Sequence, residues 1–369
     1  MMSEDDERFM RQALGLAERA RGLTSPNPLV GAVVVRDGVV VGEGYHERAG
    51  GAHAEIVALA AADRRAHGAT LYVTLEPCTH HGRTPPCVPS VIAAGIRRVV
   101  VAISDPNPLV AGGGVTALRA AGLEVEVGRL GGEASRQNRV FLTSVRRHRP
   151  HVTLKAAMTL DGKIADVHGT SRWITGEPAR REAHRLRSEA DAIVVGVETL
   201  LRDDPALTVR LDHPWPREPF RVVLDTTART PATARVISAG AAERAIVFVG
   251  ARALSERIAA LQGTGASVVR VAESHERVEL GDVLAALFAR DVRGVLVEGG
   301  GEVHAAFLDA GLVDRVAIFV APRLLGGRTA ATVVGGMGRA LKEAIRLEGL
   351  TVRAVGDDLL IEADVVASE

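Results

Sequence analysis

Runs of valine and short helical stretches alternate through the first 145 residues. An acidic amphipathic helix from Asp5 to Ala20 opens the chain and the turn TSPNP follows it. LVGAVVVRDGVVVGEGYH carries two valine-rich runs joined by Asp37-Gly38, the pattern of a β-hairpin. HAEIVALAAADRRA then reads as helix, GATLYVTLEP as strand, CVPSVIAAG as helix, RRVVVAISDP as strand, VTALRAAG as helix and LEVEVG as strand. That order predicts a mixed sheet of about five strands with helices on both faces. RRHRP (Arg146 to Pro150) is basic and ends in proline, which suits a linker. Two domains are expected, 1–147 and 148–369. After the linker the strand pattern restarts at HVTLKAAMTLDGK. It recurs at DAIVVGV, FRVVLDT, RAIVFVG, SVVRV, GVLVEGG and DRVAIFVAP, with helices between most of them. LTVRAVGDDLLIEADVV closes the chain as a hairpin turning at Gly356-Asp357. The second half is therefore a larger α/β domain, with no internal repeat.

Composition narrows the function. A chain of 369 residues can bury two separate cores. Its formal net charge is zero and its aromatic content 3%, so neither the basic excess nor the stacking surface of a nucleic-acid binder is present. No run approaches the roughly 18 apolar residues of a membrane span. The polar start MMSEDDERFM does not look like a secretory leader, so a cytoplasmic location is expected. Two cysteines in so long a chain make no disulfide framework and are free to bind metal.

Both cysteines lie in LEPCTHHGRTPPC, residues 75–87, at a strand-to-helix junction. Upstream, GAHAE opens a helix with His53 and, two residues on, Glu55. A catalytic zinc site takes three protein ligands and leaves a fourth position open. His53, Cys78 and Cys87 offer one imidazole and two thiolates, which is such a set. Glu55 can then accept a proton from an activated water and pass it to a leaving amine. Glu76 reads instead as a residue bonding to backbone at its strand end.

Zinc deaminases of cytidine or tRNA adenosine usually have two residues between their cysteines; here there are eight. With PNPLVGAVVV, GEGYH, GGAHAE, TLEPCTHHGRTPPC and SDPNPLVAG, residues 5–145 closely resemble the deaminase half of the bifunctional riboflavin-biosynthesis deaminase/reductase family. The resemblance implies a cytidine-deaminase-like αβα fold and one Zn2+ per chain on His53, Cys78 and Cys87. Glu55 becomes the catalytic proton shuttle, and Asn27, His46, His80, Arg83 and Asn107 the substrate contacts. The implied substrate is 2,5-diamino-6-ribosylamino-4(3H)-pyrimidinone 5′-phosphate, which loses its 2-amino group.

In the second half, Gly299-Gly300-Gly301 ends a strand and opens a helix, a junction that offers backbone N–H groups to phosphate. It is not the Rossmann glycine pattern, and a plain tight turn competes with this reading. DDPALTVR sets Asp203, Asp204 and Arg210 close together after a strand. KAAMTLDGKIA, SRWITG, DAIVVGVETLLRDDPALTVR, VLDTT and VEGGGEVHAAFLDAGLVD resemble the reductase half of the same family, whose fold is like dihydrofolate reductase. The resemblance implies NADPH-dependent reduction of the ribosyl side chain. Ala157, Trp173, Thr199, Asp203, Thr226 and the stretch Gly300, Gly301, Glu302, Val303, His304, Ala305 and Ala306 are implied to line the cofactor. Ser171, Arg187, Leu207, Arg210 and Glu298 are implied to meet substrate, with Arg187 and Arg210 suited to its 5′-phosphate. Lys155, Asp203 and Glu298 are the charged candidates for proton transfer. The partners expected are small phosphorylated pyrimidines, with no nucleic acid and no membrane, in a homo-oligomer. Two rival readings remain: a deaminase of another base or of nucleic acid whose second half only binds, and a structural zinc site.

Overall fold

A computed structural model describes residues 4–81, 84–107 and 111–366. The chain divides into two compact units between Arg149 and Pro150. The first contains α1 (Glu4–Glu18), β1 (Gly31–Arg36), β2 (Val39–Tyr45), α2 (Ala54–Ala62), β3 (Thr70–Val73), α3 (Cys87–Ala93), β4 (Arg98–Val101), α4 (Gly113–Ala120), β5 (Glu124–Val127), α5 (Gly131–Gln137) and α6 (Arg139–Arg147). Its sheet has five strands in the order β2-β1-β3-β4-β5. β1 pairs antiparallel with β2 and β3, and β3, β4 and β5 run parallel. The central strands are almost wholly buried, as strands covered on both faces must be. Successive side chains alternate between two cores. Val34, Leu71, Val99 and Val101 pack with Ala58, Val91 and Leu118 from α2, α3 and α4. Val33, Val35, Tyr72 and Val100 pack with Phe9 and Met10 of α1.

The acidic first turn of α1 is not all solvent-facing. Asp6 is buried, where Tyr72 Oη donates to it at 2.5 Å and Arg98 at 2.8 and 3.0 Å. The expected linker differs more. Arg146 and Arg147 form the last turn of α6, where cations suit the carbonyl end of a helix. Only His148 to Pro150 are left to connect the units.

The second unit contains β6 (His151–Thr159), α7 (Glu177–Glu189), β7 (Ala192–Gly196), α8 (Val197–Asp203), β8 (Phe220–Leu224), α9 (Arg235–Ser238), β9 (Ala245–Val249), α10 (Ser255–Gln262), β10 (Ser267–Arg270), β11 (Glu273–Ser274), β12 (Arg277–Val278), α11 (Leu280–Phe288), β13 (Gly294–Val297), α12 (Gly301–Asp309), β14 (Arg315–Ala321), β15 (Leu347–Val355) and β16 (Asp358–Val365). Nine strands form one sheet, β10-β9-β8-β7-β13-β6-β14-β16-β15, parallel from β10 to β14 and antiparallel at the terminal hairpin. The register sets Val297 of β13 beside Leu154 of β6, so the next residues, Glu298 and Lys155, are brought side by side. One expectation is corrected here. Asp203 and Asp204 do not follow a strand directly, because VETLLRD winds into α8 straight from the end of β7, and Asp204 ends it in a left-handed conformation (φ 38°). Among the described residues no helix is long and apolar enough to cross a membrane.

Candidate active sites

Helix α2 delivers His53 and Glu55 because it lies directly on the β1–β2 hairpin. Glycine makes that approach possible: a Cβ on Gly44 would stand 2.5 Å from both Ala54 O and Ala58 N, and one on Gly42 2.2 Å from Ala58 O. The GEGYH motif is therefore a packing requirement as much as a sequence signature. Cys87 opens α3, and its N–H donates to Cys78 O at 3.1 Å, folding the loop between the cysteines back on itself. The result puts His53 Nδ1 3.2 Å from Cys87 Sγ and 3.6 Å from Cys78 Sγ, with all three ligand atoms within 4.8 Å. Tetrahedral bonds of about 2.1 Å to nitrogen and 2.3 Å to sulfur require ligand atoms roughly 3.6–3.8 Å apart, so the residues fit zinc.

Charge at this cluster is finely balanced. Cys78 is drawn down to about 4, chiefly by a hydrogen bond from Cys87 and also by His53. Cys87 is pushed up by its bond to Cys78 and by burial. A metal cation bound between them would favour both sulfurs as thiolates. Burial pushes the Glu55 carboxyl up, against the pull of its own backbone N–H and of His53.

A cavity of about 270 Å³ adjoins these groups and is lined by Asn27, His46, His80 and Asn107, four of the five substrate contacts expected. The fifth, Arg83, lies outside the described residues. His46 Nδ1 lies 3.0 Å from Ala52 O and its Nε2 3.0 Å from Asn27 Nδ2. With Nδ1–H donating to the carbonyl, Nε2 must accept from the Asn27 amide, and Asn27 Oδ1 remains available to the cavity. Glu76 does bond to backbone, but across the fold, accepting from the N–H groups of Asp105, Gly112 and Val115. Asp105, Thr84 and Phe141 also line the cavity, and nothing in the sequence pattern singled them out.

In the second unit a cavity of about 980 Å³ opens at the carboxyl ends of the parallel strands, where ligands bind in open α/β sheets. It is lined by Lys155, Ala157, Ser171, Trp173, Thr199, Asp203, Thr226 and Glu298, and by Gly300 to His304 and Ala306. Of the expected cofactor residues only Ala305 turns away, into the core. The loop 330–336 closes one wall. Gly335 N–H donates to Gly301 O at 3.0 Å, Gly336 N–H to Glu302 Oε1 at 3.0 Å, and His304 Nδ1 lies 2.7 Å from Val333 O. Burial holds His304 down, to about 4, so its ring is neutral.

Lys155 Nζ lies 3.7 Å from Glu298 Oε2, and the Arg187 fork grips both Glu298 oxygens at 2.7 and 2.9 Å. Burial would raise Glu298, but Arg187 and Lys155 outweigh it and hold the carboxyl down, to about 2. The Arg187 fork therefore faces Glu298, and its third nitrogen donates to Thr208 O at 3.1 Å. The Leu207 side chain is buried in the core beside Ile193 and Val223, which leaves its backbone as the part that could meet substrate. Arg210 does stand exposed, held below its ordinary value by partial burial and by the neighbouring Arg187, Arg235 and Arg172. Ser171 Oγ lies 3.3 Å from both Asp203 oxygens.

An αβα unit with a His–Cys–Cys cluster able to hold a metal, followed by a sheet unit whose cavity contains a part-buried Lys–Glu pair, suits a zinc deaminase coupled to a reductase. Comparison with known proteins agrees for both units. Residues 3–103 match the cytidine and deoxycytidylate deaminase zinc-binding region, and residues 150–361 match the RibD C-terminal domain. Riboflavin biosynthesis protein RibD of Aquifex aeolicus is 44% identical over 98% of this chain and 99% of its own length. That of Escherichia coli is 40% identical over 96% and 98%. Among solved structures, RibD of Acinetobacter baumannii superposes with a TM-score of 0.88 at 36% identity, covering 98% of this chain and 99% of its own. A Thermotoga maritima diaminohydroxyphosphoribosylaminopyrimidine deaminase/5-amino-6-(5-phosphoribosylamino)uracil reductase gives 0.84 at 37%, with the same coverage. The chain belongs to the RibD family of bifunctional riboflavin-biosynthesis enzymes, a deaminase and a reductase in one polypeptide.

Proposed function

We propose that the first unit hydrolyses 2,5-diamino-6-ribosylamino-4(3H)-pyrimidinone 5′-phosphate at its 2-amino group, and that the second reduces the product with NADPH to 5-amino-6-ribitylaminouracil 5′-phosphate. The observation that carries the reading is the open three-ligand cluster His53, Cys78 and Cys87 with the buried Glu55 carboxyl beside it and a substrate-sized cavity in front. A structural zinc site would be closed by a fourth protein ligand.

Zinc held by the three residues supplies a water made nucleophilic near neutral pH. Glu55 takes one proton of that water as the new C–O bond forms and passes it to the adjacent ring nitrogen. It then carries the second proton from the added hydroxyl to the amine, so that the C2=O bond forms as the C–N bond breaks and ammonia leaves. Its raised pKa suits it to hold each proton between uptake and release. Asn27 Oδ1 accepts from the heterocycle's N–H edge, and His80 and Asn107 complete the wall.

In the second unit NADPH supplies the hydride to C1′ of the opened ribosyl group. Glu298 stays a carboxylate at neutral pH and cannot give up a proton, so it serves to hold Lys155 in place. Lys155 is then the group placed to polarise the carbonyl or imine and protonate its heteroatom as the hydride arrives. The glycine run at the start of α12 suits a cofactor phosphate. Arg210, among Arg172 and Arg235, suits the substrate's 5′-phosphate, since an anion would relieve their mutual repulsion.

Incubation with the diaminopyrimidinone phosphate, with and without NADPH, should give the ribitylamino and the deaminated products respectively, as identified by mass. Glu55→Gln should lower ammonia release by about 10²–10⁴-fold, with zinc content unchanged. Retained deamination would remove Glu55 from its role.

A further inference from the structure

The loop between the two cysteines is long for a zinc deaminase, and one of its residues reaches back to the third ligand. Thr84 Oγ1 lies 2.9 Å from His53 Nε2, while His53 Nδ1 faces both sulfurs. A nitrogen that binds metal must be unprotonated, so with Nδ1 turned to the sulfurs the ring proton sits on Nε2. Nε2–H then donates, and the threonine oxygen is its acceptor. We propose that Thr84 is a positioning residue for zinc: its hydroxyl oxygen fixes the tautomer and the plane of the His53 ring, so that Nδ1 is aimed between Cys78 and Cys87.

Three features support this assignment. His53 caps α2 with an extended backbone, and no side-chain bond at the cap restrains its ring. The aromatic neighbour, His46, meets it edge-on at 5.6 Å between centroids, a contact that limits tilt but selects no tautomer. Thr84 is also part of the loop that carries both sulfurs, which is closed at its base by Cys87 N–H to Cys78 O. Two residues between the cysteines would be needed only to bring the sulfurs together; the longer loop also brings an acceptor to the far side of the imidazole. Because Thr84 lines the substrate cavity too, its own hydroxyl proton is left to donate there, which ties ligand orientation to an occupied site. Bonding partners of this kind commonly contribute 10–100-fold in metal affinity.

The inference rests on zinc being held by His53, Cys78 and Cys87, and the test keeps the two apart. Zinc affinity of the full chain is measured by competition with a chromophoric chelator for wild type, Thr84→Val and Thr84→Ser. One zinc per wild-type chain is expected, with about 10–100-fold weaker binding in Thr84→Val and near-wild-type binding in Thr84→Ser. A wild-type chain that binds no zinc overturns the metal site itself. Wild-type affinity in Thr84→Val overturns the positioning role alone, as does an equal loss in both variants. A measurement that needs no variant is the nitrogen spectrum of ¹⁵N-histidine-labelled, zinc-loaded protein. His53 should carry its proton on Nε2, protected from exchange; metal on Nε2 would overturn the proposal.

Discussion

At the scale of the residue, Glu298 shows how burial and charge compete. Its side chain is 8% exposed, a setting that would normally protonate a carboxyl, yet Arg187 and Lys155 keep it ionised. A folded pKa of about 2 against an ordinary value of 4.5 means that the folded state binds its proton more weakly than the unfolded chain. The stabilisation is therefore complete above the ordinary value and is lost as pH falls from about 4.5 toward 2. Denaturation of the reductase unit across this range should show a steep acid limb that Glu298→Gln flattens. At neutral pH the same variant should lose about 3–5 kcal/mol, because Arg187 is left buried without its partner. Equal acid limbs in both proteins would mean that Glu298 is not held as a carboxylate. The same residue marks where sequence reading stops. Histidine and cysteine announce a metal site by their rarity and spacing, and Glu55 by its place two residues on. Arg187 reads equally well as a phosphate ligand or an ion-pair partner, since only the fold decides which group its fork meets. Thr84 carries no sequence signal apart from membership of the loop.

At the scale of the element, periodicity made most of the architecture legible. The five strands of the first sheet, the Asp37-Gly38 hairpin and the strand–glycine–helix junction at 299–301 all follow from apolar runs and turn residues. The two-residue strands β11 and β12 escaped it, being too short for a period to show, and α8 was hidden because it follows β7 without a break. The 330–336 loop is invisible for a different reason. It is held to the start of α12 by one backbone bond and by the Glu302 and His304 side chains, each meeting a loop backbone group that is the same in every sequence. Its contact with Gly301 leaves no room, since a Cβ there would lie 2.5 Å from Thr332 O and 3.1 Å from Gly335 N. Gly301→Ala should therefore push the loop off the helix and cost about 1–3 kcal/mol. It should also raise KM for NADPH by at least about tenfold, the equivalent of 1.4 kcal/mol, with a smaller effect on KM for the pyrimidine substrate. An unchanged KM for NADPH would show that this wall does not touch the cofactor.

At the scale of the whole molecule, each unit has its own cores and its own site. Among the described residues the metal-ligand cluster lies between residues 53 and 87, and the lining of the larger cavity runs from Lys155 to Gly335. Among the described residues, none lines both cavities. With all three candidate ligands in the first unit, zinc binding energy is expected to be linked to the folding of that unit. Stripping the full chain with a chelator should abolish ammonia release from the diaminopyrimidinone phosphate. NADPH oxidation with the deaminated intermediate supplied directly should proceed at the original rate. Heating the stripped protein should lower the unfolding temperature of the deaminase unit alone, and restoring zinc should recover both the transition and the ammonia release. The two activities then fail in series only when the first substrate is given: with no intermediate formed, NADPH remains unoxidised although the second site is intact. A parallel loss of reduction on added intermediate would show instead that the reductase site depends on the metal-bound state of the first unit.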